Sequence, residues 1–184
     1  MRHSYRYLVQ TLCGVFAVAL LGNFATAQSG PTKTVAAAKT ETPVMVGGYL
    51  SVGFDRLASF DYAASDAPVT NLTTRVDAAD KFIPNEIKAL NGKKVVISGF
   101  MMPLEVHGET ATEFLILRNQ SSCCFGAAPK LNEFVMVKVP KGVNSIMDQV
   151  VNIAGILHVG TTRENGYITQ IYQMDGDKML ADTH

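Results

Sequence analysis

Between Lys94 and Met174 the chain holds five strand-like runs of β-branched and apolar residues, separated by turn-rich stretches. The runs are Lys94–Leu104, Thr112–Arg118, Glu133–Val139, Val150–Val159 and Tyr167–Met174. His107-Gly108-Glu109, Pro140-Lys141-Gly142 and Glu164-Asn165-Gly166 supply turn chemistry between runs. Such a pattern excludes a helical bundle and predicts a mainly β domain. In the fourth run Val151, Ile153, Leu157 and Val159 share one face, and Asn152, Ala154, Ile156 and His158 the other. Gly99 and Gly155 interrupt the first and fourth runs, and an interior glycine marks a bulge or sharp bend. A long first strand bent at Gly99 can serve both sides of a closed ring. The expectation is a small OB-like five-stranded barrel, although a five-stranded roll has the same pattern.

Before the strands, Pro84–Leu90 predicts one short helix, with Pro84 in its first turn and Asn91-Gly92 as its stop. Further upstream, Val44–Tyr62 carries Tyr49, Leu50, Val52, Phe54, Leu57 and Phe60, enough apolar surface to dock on the barrel. Periodicity leaves strand and helix both open there. Ala63–Ala79, with Pro68, predicts a loop. The chain therefore divides into a leader (1–27), a flexible spacer (28–43), a docking segment and loop (44–79) and the barrel domain (80–178).

The leader is read from three features: Arg2 and Arg6, an apolar run over Leu8–Leu21, and Ala25-Thr26-Ala27 as a small-x-small cleavage site. The run is shorter than the roughly 20 residues that span a bilayer as a helix, so no membrane span is expected after cleavage. Cleavage after Ala27 predicts an exported, periplasmic product in which disulfides persist. The 16 basic and 16 acidic side chains of the 184-residue chain then become 14 and 16, since Arg2 and Arg6 leave with the leader. A slightly acidic product without Trp argues against nucleic-acid binding, which needs clustered Lys and Arg and stacking aromatics.

Cys13 leaves too, and the remaining cysteines, Cys123 and Cys124, are adjacent in the connection between the second and third runs. Neighbouring Cα atoms lie about 3.8 Å apart, whereas disulfides prefer roughly 5.5–6 Å. A Cys123–Cys124 bridge would be strained and easily reduced. Four readings stay open: a pair that only shapes its loop, a metal site, a thiol redox centre and a nucleophile. Thiolates favour Cu(I) or Zn(II), but two of them do not complete a tetrahedral site. Candidate further ligands are His158, His107, Met101 and Met102, of which His158 is retained as the tentative third; Phe125, Gly126 and Pro129 shape the loop. No catalytic triad order, phosphate-cradling glycine loop or paired carboxylates stand out, so no catalytic residue is assigned and no cofactor is established.

The chain resembles the DUF3299 family of exported bacterial proteins from about Phe82 to Met174. The resemblance rests on Ile83-Pro84, Ile87 to Val95, Ser98-Gly99-Phe100-Met101, Pro103-Leu104 and Glu113-Phe114-Leu115. Its distinctive block is Cys123-Cys124-Phe125-Gly126 with Pro129, Asn132 and Glu133, followed by Gly155-Ile156-Leu157, Val159-Gly160, Gly166-Tyr167 and Ile171-Tyr172. It implies an exported domain of uncharacterised activity. Members resemble accessory components of envelope transport systems, some tied to metal supply, so a transporter component is the implied partner. The expected function is a non-enzymatic binding or accessory module, with a thiol redox protein or an interaction domain braced by its cysteines as alternatives.

Overall fold

The computed structural model describes residues 43–65, 67–69, 77–121 and 128–181, so the leader and most of the spacer lie outside the described residues. Five long strands carry the fold: β3 (Lys93–His107), β4 (Thr110–Leu117), β5 (Phe134–Asn144), β6 (Val150–Glu164) and β7 (Tyr167–Leu180). Ahead of them are β1 (Met45–Val46), β2 (Tyr49–Ser51), α1 (Phe54–Leu57), a 3-10 turn (Ala78–Phe82) and α2 (Asn85–Lys88). The long strands pair in the order β3-β4-β5-β7-β6, and β6 returns to β3. The ring is closed. All its pairings are antiparallel except β5 with β7. The protein is thus a mainly β, closed five-stranded barrel, consistent with the OB-like reading.

Closure depends on β3 changing partners. It pairs with β6 over Lys93–Phe100 and with β4 over Phe100–His107, and β2 lies parallel to it at Val95 and Val96. Gly99 sits at the handover. A Cβ there would lie 2.6 Å from both Ile116 Cγ2 and the Leu117 carbonyl oxygen, so only glycine allows the approach. Gly155 is equally crowded: a Cβ would lie 2.4 Å from the Asp175 carbonyl oxygen, beside a register shift between β6 and β7.

The inner face of β6 is the predicted one: Val151, Ile153 and Leu157 are buried with Ile97, Phe114, Ile116, Val135, Val137 and Tyr172. Ala154, on the outer face, is also buried. Tyr49 and Val96 cover it in a small second cluster.

The turns differ from expectation in one place. Asn165-Gly166, both at positive φ, makes the two-residue β6–β7 hairpin, as the left-handed geometry of a type I′ turn requires. Pro140-Lys141-Gly142, expected as a turn, instead lies within β5. Ala111 pairs with Val143 and Glu113 with Lys138, so Thr112 faces a wide bulge and the strand resumes beyond it. A bulge accommodates both the missing proline N–H and the positive φ of Gly142.

The helix expected at Pro84–Leu90 is present as α2. Among the described residues there are two short α-helices and a 3-10 turn, with Pro84 capping α2 rather than lying inside it. A four-residue helix has no independent stability. Tertiary burial holds α1: Phe54 and Leu57 are 6% and 0% exposed. Burying two such side chains stabilises by roughly 3–6 kcal/mol, enough to fix one helical turn. The Tyr172 hydroxyl donates to the Leu57 carbonyl at 2.9 Å and ties this turn to the barrel interior. Burial pushes that phenol well above its usual range. The apolar residues between 44 and 62 therefore form both strand and helix.

Candidate functional site

The connection singled out by its cysteines joins β4 to β5. Cys123, Cys124, Phe125 and Gly126 lie outside the described residues, and the described chain resumes at Ala128. Pro129 is half-buried there.

His158 stands on the outer wall of the barrel. Its Nε2 lies 2.7 Å from Asp175 Oδ2, and because the carboxylate only accepts, Nε2 is the donor. The register sets His158 opposite Gln173 and Gln173 opposite Met136, so the imidazole is two strands away from β5. The same wall carries charges in alternating sign: Lys138 Nζ is 3.5 Å from Glu113 Oε2 and is paired in register with Asp175.

The other suggested ligands are dispersed. His107 bonds to Glu105 at 3.2 Å in an exposed turn. Met101 is 2% exposed and points into the core, which removes it from any surface site. Met102 is on the opposite, outward face. Among the described residues no three His, Cys, Asp or Glu side chains gather as a metal site. No helix among them is long and apolar enough to cross a membrane.

A polar assembly that the sequence did not reveal lies where the β6–β7 hairpin meets the 3-10 turn. Asp77 caps that turn by accepting from the Ala79 N–H at 2.8 Å. Arg163 grips the same carboxylate twice, through Nε and through Nη2 (3.2 Å to Oδ1), and donates from Nη1 to the Gly166 carbonyl at 2.7 Å. The two side chains are only 7% and 9% exposed. The guanidinium holds the Asp77 carboxyl below its usual range. Beside this pair Asp80 Oδ1 accepts from the Thr161 N–H at 2.7 Å, and the Thr161 and Tyr62 hydroxyls bond at 2.9 Å. Burial pushes the Tyr62 phenol upward. Its ring is set edge-on to Phe60 and Phe82, with centroids at 6.5 and 6.3 Å.

From Tyr62 the surface opens into a groove of about 480 Å³ bounded by Asp61, Pro129, Lys130, Leu131 and Asn132. The groove is therefore at the end of the cysteine connection. Asn132 is 3% exposed, and its Nδ2 donates to the Phe60 carbonyl at 2.5 Å. That carbonyl can only accept, which fixes the amide's orientation. Asn132 Oδ1 is buried and has no hydrogen-bond partner among the described residues.

Pro129 and Asn132 carried the family resemblance, but their meeting with Asp61 and Tyr62 depends on the tertiary fold. The clearest local signal for the polar assembly was Asp77, an Asp placed to cap the turn that follows it.

These features define a closed five-stranded β-barrel whose polar hairpin end adjoins a groove at the β4–β5 connection. A family model for DUF3299, a protein family of unknown function, matches residues 62–181, and the chain belongs to that family. The match begins upstream of the Phe82 boundary read from sequence and takes in Tyr62 and Asp77. The barrel is similar to the crystal structure of a DUF3299 family protein from Pseudomonas aeruginosa PAO1. The two are 25% identical with a TM-score of 0.53, over 75% of this chain and 99% of that one. No curated protein matches the chain.

Proposed function

We propose that the protein is an exported, non-enzymatic binding or accessory module of the bacterial envelope, and that its Cys123-Cys124 connection handles a transition metal, Zn(II) or Cu(I). The observation that carries this reading is that both cysteines left after leader removal are adjacent in one interstrand connection. Adjacent thiolates are a soft donor pair that prefers such ions. His158 is the tentative third ligand. Its Nε2 is engaged by Asp175, leaving Nδ1 as the nitrogen for a metal, and a carboxylate behind a ligating imidazole raises its basicity. The envelope location rests on the leader-like Met1–Ala27 stretch, and the accessory role to a transporter rests on the family resemblance.

The test is titration of the reduced protein with Zn(II) and with Cu(I). Binding tighter than about micromolar, lost in Cys123→Ser/Cys124→Ser and weakened about 10–100-fold in His158→Gln, is the expected result. Binding that survives the double serine variant removes the cysteine pair from the site. Retained affinity in His158→Gln removes only the third ligand.

A further inference from the structure

Two charged side chains of opposite sign line the groove beside Tyr62. Asp61 and Lys130 are both exposed on its rim, and neither side chain has a hydrogen-bond or ion-pair partner among the described residues. Opposite charges that share a groove without meeting one another leave room for a ligand bearing both complementary charges. Pro129, Leu131 and the Tyr62 ring supply apolar walls, and the Tyr62 hydroxyl is already committed to Thr161. At about 480 Å³ the space is within the range of small-ligand sites.

We propose that this groove binds a small zwitterion, an α-amino acid or dipeptide with both termini free. Its ammonium pairs with Asp61. Its carboxylate pairs with Lys130, and its side chain lies against Pro129, Leu131 and the Tyr62 ring. Each rim charge alone would contribute little in water. A ligand that meets both at once while covering apolar wall gains from all three contacts. The site is separate from the cysteine reading and does not depend on it.

The experiment is calorimetric titration of the full chain with glycyl-leucine, compared with the same dipeptide N-acetylated and C-amidated. Saturable binding of the free dipeptide with Kd below about 1 mM, and at least about tenfold weaker binding of the blocked form, is expected. Asp61→Asn and Lys130→Gln should each weaken binding about tenfold without lowering Tm, since both side chains are exposed. Cys123→Ser/Cys124→Ser should leave the dipeptide affinity unchanged while removing any metal binding, so the two sites fail independently. Absence of saturation at about 10 mM, equal affinity for the blocked dipeptide, or affinity unmoved by both rim variants would overturn the proposal. Loss of dipeptide binding in the double serine variant would overturn it too, by reassigning the site to the cysteine connection.

Discussion

Strand β6 carries two side-chain contacts to carboxylates on very different terms. His158 and Asp175 meet on the outer wall, with side chains 46% and 74% exposed, whereas Arg163 and Asp77 meet under the hairpin at 7% and 9%. The outer pair joins neighbouring strands that backbone hydrogen bonds already hold. The inner pair joins elements 86 residues apart in sequence and fixes the 3-10 turn to the barrel. Water competes for the first pair and is largely excluded from the second. The same type of contact is thus incidental in one place and structural in the other.

Breaking the inner pair should have the largest effect. Asp77→Asn keeps the shape but leaves Arg163 without its counter-charge, and an uncompensated charge beneath the surface is strongly unfavourable. Thermal unfolding should report a Tm lower by about 10 °C or more. A drop of only a degree or two would mean that solvent reaches the pair.

Acid should sharpen the contrast. Arg163 holds the Asp77 carboxyl below its usual range, so its contribution is present above the unfolded pKa and is lost as pH falls through the lower, folded one. Tm followed from pH 5 down to about pH 2 should fall less steeply in Asp77→Asn than in the parent. Parallel curves would assign the acid lability to other carboxylates. The outer pair should yield the smallest response: Asp175→Asn is expected to change stability by about 1 kcal/mol or less.

The strands were legible because each inward face repeats every second residue and each end carries turn chemistry. Lys94–Leu104 and Val150–Val159 fall inside β3 and β6, and Gly99 and Gly155 stand at the crowded points that the pattern suggested. What failed to show was anything set by contacts between distant segments. Pro140 and Gly142 have turn chemistry, yet a strand continues through them because β4 offers a partner on the far side. Asp77 and Arg163 look like scattered charges until the hairpin folds over the 3-10 turn. The groove at Tyr62 was illegible for the same reason, since its two walls come from the segment ahead of the barrel and from the β4–β5 connection. His158 was correctly placed on the outward face. Its partner Asp175 could not be assigned, because the β6–β7 register shifts at bulges that no alternation encodes.

The handover of β3 between partners also constrains how the chain can fold. The hairpins β3–β4 and β6–β7 join segments close in sequence, but the seam of the ring joins Phe100 to Val150 and Lys93 to Leu157. Such distant pairings form late, because a long loop must close before they contribute. Until β6 returns, one edge of β3 over Lys93–Phe100 has no partner. The ring is therefore its own edge protection, complete only when most of the domain is present.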